Sequence, residues 1–311
     1  MTRALLITNP AAARTDLVAH KEIASTLQRG GWEVEVLSTG GPGDARRLAE
    51  YGVAEGVDVV TVFGGDGTTM QAAAALVGSN VALGVIPGGT GNLLAGNLRI
   101  PASPARAAQA LLEARPRPFD LGRMERPGGP LYFAVACGAG YDARVMAGTL
   151  SEHKRRWGMG AYVATSVRLL TDIRSSLHVI TIDGVEYEAN AAMVLVANCG
   201  EVIPRLVKLG PGISPNDGLL DVVVIRANNF SQSVRAVWDL LRLAPGAPGE
   251  GTYVGHARGR EVRVETEGAQ PVQLDGEAGG ETPFTVTVEP NAIRIMVPQR
   301  SASHGKATAS D

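Results

Sequence analysis

Cysteine is scarce: the 311 residues hold two, Cys137 and Cys199. That number excludes the disulfide framework of a small secreted domain and fits a reducing, cytoplasmic setting. Apolar and small residues flank both, so they read as buried small hydrophobes rather than reactive thiols. An excess of basic charge is also lacking, with 29 Lys and Arg against 31 Asp and Glu. This near-neutral total gives no electrostatic case for nucleic acid. No apolar run approaches the roughly 20 residues that span a bilayer. Met1 to Pro10 faintly resembles a signal peptide, but its apolar core, Ala4 to Ile7, stops at Asn9-Pro10 and reads as a strand and a turn. The histidines never fall at metal-ligand spacing, and no internal repeat is present. Glycine is what the chain has in quantity, 39 residues, which implies many tight turns.

The length suits two domains, each with its own core. In the first third, strand and helix patterns alternate. Strands are expected over Ala4–Thr8, Trp32–Leu37, Val59–Phe63 and Val81–Ile86. Helices are expected from Asp16, a plausible N-cap, to Arg29, then over Asp44–Ala54, Thr69–Leu76 and Pro104–Glu113. Such alternation implies a parallel sheet in a three-layer α/β domain, with ligands at the carboxyl ends of the strands. Near Pro116-Arg117-Pro118 the pattern changes to period two. Strands are expected over Leu177–Ile182, Tyr187–Ala197, Leu219–Ile225, Glu261–Glu265, Val272–Leu274, Phe284–Val288 and Ala292–Val297. Two helices interrupt them, over about 160–176 and 232–243. The reading is an α/β domain over 1–117 and a β-rich antiparallel, sandwich-like domain over 118–299, whose last strand could return to the first. Residues 300–311 form a small, polar tail whose composition predicts disorder.

Two strand ends carry glycine-rich loops, Gly64-Gly65-Asp66-Gly67-Thr68 and Pro87-Gly88-Gly89-Thr90-Gly91-Asn92. One such loop needs no function, since a tight strand-to-helix turn also wants glycine. Two on neighbouring strands could hold a nucleotide from both sides, with Thr68 and Thr90 supplying hydroxyls and a helix N-terminus facing the phosphates. Asp66 beside bound phosphate makes sense with a divalent cation between them. Further on, Asp275-Gly276-Glu277 places two carboxylates about a glycine. Taken alone it is an acidic hairpin turn. Ser214-Pro215-Asn216-Asp217-Gly218-Leu219 is, by its residues alone, a turn entering a strand.

Taken in order, these segments resemble the soluble lipid kinases of the diacylglycerol kinase and sphingosine kinase superfamily, above all its bacterial branch. Asn9-Pro10, Gly138-Ala139-Gly140-Tyr141-Asp142-Ala143 and Asn216-Asp217-Gly218-Leu219-Leu220-Asp221 complete the set. The resemblance implies ATP in a cleft between the domains, against Asn9, Thr39, the segment from Gly65 to Gln71, and Thr90, with Gly64, Gly89 and Asn92 also among the nucleotide-binding residues. Thr39 by itself reads only as a helix-start residue. The resemblance also implies phosphoryl transfer to a hydroxyl of diacylglycerol or a related lipid, with Glu277 as proton acceptor. Asp275 would bind Mg²⁺ or orient the hydroxyl, and Asp66 would hold Mg²⁺ on the ATP phosphates; how Asp275 and Glu277 divide their roles stays open. A second, structural Mg²⁺ is implied at Asp217 with Ser214 and Leu219, linked by water to Asp120. The chain departs from the family pattern at Ala13, with Arg14 after it, at Gln71 where an acid is usual, and at Leu93 where Asp commonly follows Asn92.

The lipid implies peripheral contact with a membrane surface. For that contact the helix face of Val234, Val237, Trp238, Leu241 and Leu243, edged by Arg235 and Arg242, competes with plain core packing. The basic loop His153-Lys154-Arg155-Arg156-Trp157 competes with a solvated surface, while Gly138 to Ala143 and Met146 could line the mouth of an acyl-chain site. An edge strand of the second domain could pair two copies into a homodimer. Gly-Gly-Asp-Gly-Thr is shared with NAD kinases, but the Asn-Glu dipeptide of that family is missing after the first domain. A non-catalytic lipid-binding protein is the remaining alternative; the joint presence of Asp66, Asp275 and Glu277 argues against it.

Overall fold

The computed structural model describes residues 1–12, 17–140, 175–203, 207–210, 212–229, 231–232, 235–236 and 253–299. The expectations for Ala13, Arg14 and Asp16, for residues 141–174, for most of 232–243 and for the tail lie outside these residues.

In the first domain β1 (Arg3–Thr8), β2 (Glu33–Ser38), β3 (Val59–Gly64) and β4 (Ala82–Pro87) run parallel in the order β2-β1-β3-β4. Every residue of β3 and β4 is buried, which is why both read as unbroken apolar runs rather than alternating ones. Four helices belong to this layer system: α1 (Leu17–Arg29), α2 (Asp44–Ala54), α3 (Asp66–Leu76) and, after the short α4 (Leu93–Asn97), α5 (Pro104–Leu112). α1 packs against α5 and α2 against α3, one pair on each face of the sheet. The strand order reverses direction between β1 and β3. Ligands of doubly wound sheets bind at the carboxyl ends beside such a switch point.

The second domain is a sandwich. One sheet has the order β14-β13-β10-β7-β16-β17, comprising β7 (Ala136–Gly140), β10 (Met193–Ala197), β13 (Leu220–Ile225), β14 (Val254–Gly259), β16 (Pro271–Leu274) and β17 (Glu277–Glu281). All its pairings are antiparallel. Facing it are β5 (Arg115–Met124), β6 (Leu131–Phe133), β8 (Ser176–Ile182), β9 (Val185–Ala191), β15 (Glu261–Thr266) and β18 (Phe284–Val297). Between the sheets lie Met124, Phe133, Val194, Val196, Leu220, Val222, Val262, Val264, Phe284 and Val286, all buried. The small pair β11 (Glu201–Ile203) and β12 (Val207–Lys208) stands apart.

β18 stitches the domains together. Its first part pairs with β15 inside the sandwich, and Arg294 and Ile295 pair in parallel with Ala82 and Leu83 of β4. β5 follows it along both parts, with an irregularity between Glu289 and Ile293. The two strands expected over Phe284–Val288 and Ala292–Val297 are therefore one. Conversely, the single strand expected over Tyr187–Ala197 is two, β9 and β10, because the chain turns at Ala192 from one sheet into the other. Ser176, expected at a helix end, begins β8. No helix among the described residues is long and apolar enough to cross a membrane.

Candidate functional site

The two glycine loops touch back to back. Gly88 N–H donates to Gly64 O at 2.8 Å. A Cβ on Gly89 would stand 2.5 Å from Gly65 Cα, which is backbone and cannot turn aside. Asn92 sits in the left-handed region (φ 51°) and clamps Gly89 both ways: its Oδ1 accepts Gly89 N–H at 2.9 Å and its Nδ2 donates to Gly89 O at 2.7 Å. Gly89→Ala must therefore part the loops. Overpacking against backbone costs about 1–3 kcal/mol, and a displacement of about 1 Å at a reacting centre costs on the order of 10²-fold in rate. A lowered melting temperature together with weakened nucleotide binding checks this; a variant indistinguishable from wild type refutes it.

α3 begins at Asp66, three residues earlier than expected, with Gly65 extended at its N-cap. Asp66, Gly67 and Thr68 thus form the helix's first turn rather than a loop before it. Asn9, at the end of β1, donates from Nδ2 to Thr68 Oγ1 at 2.8 Å and so joins the two sides of the switch point. Asp66 Oδ1 accepts Leu93 N–H at 2.7 Å. Leu93, the residue that departs from the family pattern, contributes here by its backbone. Thr39 lies one strand away, its N–H on Thr8 O at 2.9 Å. Gln71 follows Thr68 by nearly one helical turn, and Thr90 lies between the clamped Gly89 and Asn92.

The second domain delivers its acids on the hairpin between β16 and β17. Asp275 (φ 47°) and Gly276 (φ 85°) are both left-handed, as a two-residue type I′ turn requires. The plain reading of this segment as a hairpin turn is thus right as geometry. Asp275 is 8% exposed, and its carboxylate accepts three successive backbone N–H groups: Ala134 on Oδ2 at 2.6 Å, and Val135 and Ala136 on Oδ1 at 2.9 Å each. Its own N–H returns to Ala136 O at 2.9 Å. Burial pushes its carboxyl up from 3.8 to about 6 against the pull of those amides, and the charge of Asp66 adds to the rise. Cys199 donates to Ala134 O in the same neighbourhood, and burial, with the Asp275 charge, pushes its thiol well up. That environment is of an inert, buried cysteine. Two residues past Asp275, Glu277 is exposed, and its Oε1 lies 3.2 Å from where a Cβ on Gly67 would be. The absence of a side chain at Gly67, in the first turn of α3, leaves this carboxylate room to stand close.

Ser214, Asp217 and Leu219 lie elsewhere, on the turn before β13. Asp120, 1% exposed on β5, ties that turn to the domain junction. Its Oδ2 accepts Gly218 N–H at 2.8 Å, its Oδ1 accepts Asn291 N–H at 2.7 Å, and its N–H donates to Pro215 O at 2.7 Å. Both oxygens of Asp217 already have donors: Leu219 N–H at 3.1 Å on Oδ1 and Arg258 Nη2 at 3.2 Å on Oδ2. Ser214 Oγ donates to Asn216 Oδ1 at 2.6 Å. No group of three His, Cys, Asp or Glu side chains among the described residues could hold a metal ion. In this structure a guanidinium nitrogen of Arg258 faces the Asp217 carboxylate that the second Mg²⁺ implied by the family resemblance would use.

Three participants were invisible in the sequence. Asn198, 1% exposed, donates from Nδ2 to Asp120 O and Ala134 O at 2.8 Å each and links the two acid-bearing regions; a lone Asn after a strand gives no signal of this. Arg99 grips Glu201 with both guanidinium nitrogens, at 3.0 and 2.5 Å, across the domains. Arg258 sits on β14, a strand that sequence patterning did not find.

An α/β domain with paired glycine loops, joined through a shared strand to a sandwich whose acid-bearing hairpin brings Glu277 beside Gly67, defines a two-domain fold. The family model described as the diacylglycerol kinase catalytic domain matches residues 3–124, and that of the YegS C-terminal NAD kinase beta sandwich-like domain matches 135–297. A diacylglycerol kinase of Mycobacterium tuberculosis is 32% identical over 307 residues, covering 94% of each chain. One of Bacillus subtilis is 28% identical over 308 residues, covering 97% of this chain and 98% of its own. A Bacillus anthracis structure assigned to the diacylglycerol kinases is 25% identical, with a TM-score of 0.78 and 95% of both chains covered. The chain belongs to the diacylglycerol kinase family.

Proposed function

We propose that the protein is an ATP- and Mg²⁺-dependent lipid kinase that transfers the γ-phosphate to a hydroxyl of diacylglycerol or a related lipid. The observation that carries this reading is the position of Glu277: an exposed carboxylate from the second domain, poised over Gly67 at the N-terminus of α3. One domain supplies phosphate-facing N–H groups and the other a proton acceptor.

Asp66 fits a magnesium ion. Gly91 lacks the Cβ that would otherwise stand 2.9 Å from Asp66 Oδ2, while Oδ1 is steadied by Leu93 N–H. Mg²⁺ held there would neutralise charge on the phosphates and keep most of its oxygen shell from water and ATP. The first turn of α3 and the Gly88–Gly89 loop orient the phosphates. Asn9 fixes the Thr68 hydroxyl at the switch point. Asp275 has both oxygens committed to the amides of Ala134, Val135 and Ala136, so it acts as a post that aims the hairpin. Glu277, two residues on, takes the hydroxyl proton as the bond to phosphorus forms.

Transfer of labelled γ-phosphate from ATP into mixed micelles of diacylglycerol and other hydroxyl lipids tests the reading, with NAD as a control acceptor. Asp66→Asn retains an oxygen for Leu93 N–H but loses the anionic ligand, so it should fold normally and lose at least 10²-fold in turnover, the scale of one transition-state electrostatic contact. Label in NAD alone would favour the NAD kinase alternative. No transfer to any acceptor, with nucleotide still bound, would favour the non-catalytic one.

A further inference from the structure

The turn at 212–221 is built around a fixed cation. Register places Arg258 of β14 directly opposite Asp221 of β13, so the two side chains share one face of the sheet. Its Nε donates to Asp221 Oδ1 at 2.7 Å, and its Nη2 lies 3.3 Å from Asp221 Oδ2 and 3.2 Å from Asp217 Oδ2. The same Nη2 donates to Gly212 O at 2.6 Å. His256, next on that face, puts Nε2 2.7 Å from Asp221 Oδ1. Asp221 is 1% exposed, so its charge requires an internal partner. One nitrogen thus meets two carboxylates and one backbone carbonyl, a donor set otherwise suited to a hard divalent ion. A guanidinium cannot lose its proton at any physiological pH and is tethered to the sheet.

We propose that Arg258 is a built-in replacement for a divalent cation at the 212–221 turn, so that in this chain the turn holds its shape without magnesium. The backbone independently fixes the position: β13 and β14 pair in unbroken register from Leu220–Gly259 to Ile225–Val254. The turn matters to the whole molecule because Asp120 links it, through Gly218 and Asn291, to the irregularity of β18 where the two domains join. A chain with this arrangement would bind magnesium only together with nucleotide. Chelation would abolish catalysis without loosening the fold.

Thermal unfolding without nucleotide or lipid tests this, in an Asp66→Asn background that removes the other acid proposed to hold magnesium. The parent should melt within about 1 °C in EDTA and in millimolar MgCl₂, and elemental analysis after dialysis should find no stoichiometric magnesium. Arg258→Gln should melt at least about 5 °C lower in EDTA and regain much of that in MgCl₂, because Asp217, Asp221 and Gly212 O then form an open oxygen site. Arg258→Lys, which keeps a charge, should fall between the two. A parent that holds one magnesium per chain, or that loses several degrees in EDTA, overturns the proposal. So does an Arg258→Gln variant that melts like its parent or is equally destabilised with and without magnesium. Should Arg258→Gln fail to fold, the parent's response and Arg258→Lys still decide. None of these outcomes depends on the chain being a kinase.

Discussion

Glu277→Gln is expected to lower the rate of phosphate transfer by about 10²–10⁴-fold, the usual worth of a positioned general base, with melting temperature and nucleotide affinity unchanged. The carboxylate makes no hydrogen bond or ion pair with any described residue, so nothing in the fold rests on it. Its one close approach is to Gly67. Glutamine keeps the shape and removes the ability to accept a proton. The loss should therefore fall on kcat rather than on KM for ATP. If Glu277→Gln retained wild-type turnover, or lost only ATP affinity, the acceptor role would pass to another group. The same geometry divides two acids that the sequence left undivided. Glu277 has open oxygens and faces the other domain, whereas Asp275 has three amide hydrogens on it.

How much of this was legible from residue patterns depended on side-chain size. Val59–Gly64 and Ala82–Pro87 announce themselves because a buried parallel strand is a run of apolar residues. Ala136-Cys137-Gly138-Ala139-Gly140 gives no such signal, yet β7 is central in its sheet, paired with β10 on one side and β16 on the other. β17 is equally mute as Glu277-Ala278-Gly279-Gly280-Glu281. A Cβ on Gly279 would stand 2.0 Å from Leu274 Cδ1, so its smallness is dictated by the neighbouring strand. Strand propensity reports fit to a surface, and these surfaces exist only after the sheet has formed. α3 begins on Asp66-Gly67-Thr68-Thr69, poor helix formers whose start is fixed by docking rather than propensity. Missing β14 had a further consequence: without the strand there was no partner opposite Asp221, and Asp217 looked available. The ordered motifs marked both glycine loops and the acid-bearing hairpin, which the fold brings together at Gly67 and Glu277. Their hydrogen-bond partners, the amides of Ala134 to Ala136 and Leu93 above all, carry no sequence signature, since any residue except proline has an N–H to give.

Asp275→Ala is expected to be the most disruptive single change in the second domain. It strands three N–H groups in a buried place, and each orphaned donor costs about 1–3 kcal/mol. The left-handed turn residue becomes an alanine that tolerates φ 47° poorly. A fall in melting temperature on the order of 10 °C follows, with activity lost because the hairpin that aims Glu277 is no longer pinned. Asp275→Asn separates charge from shape, and its signature is in the pH dependence. The folded Asp275 carboxyl titrates at about 6 and the unfolded one near 3.9. Between these values the folded state holds a proton that the unfolded state has released. This group's contribution to stability is therefore greatest below about pH 4 and declines as pH rises through 6, by on the order of 3 kcal/mol. An amide cannot titrate, so the difference in unfolding free energy between wild type and Asp275→Asn should narrow steadily over that window and be flat above about pH 7. A difference that stays constant from pH 4 to 7 would mean that the three amides outweigh burial and that Asp275 is an ordinary ionised turn acid. A difference that narrows would mean that the acid is held where water cannot solvate it, a cost the fold accepts in order to place Glu277 against the first turn of α3.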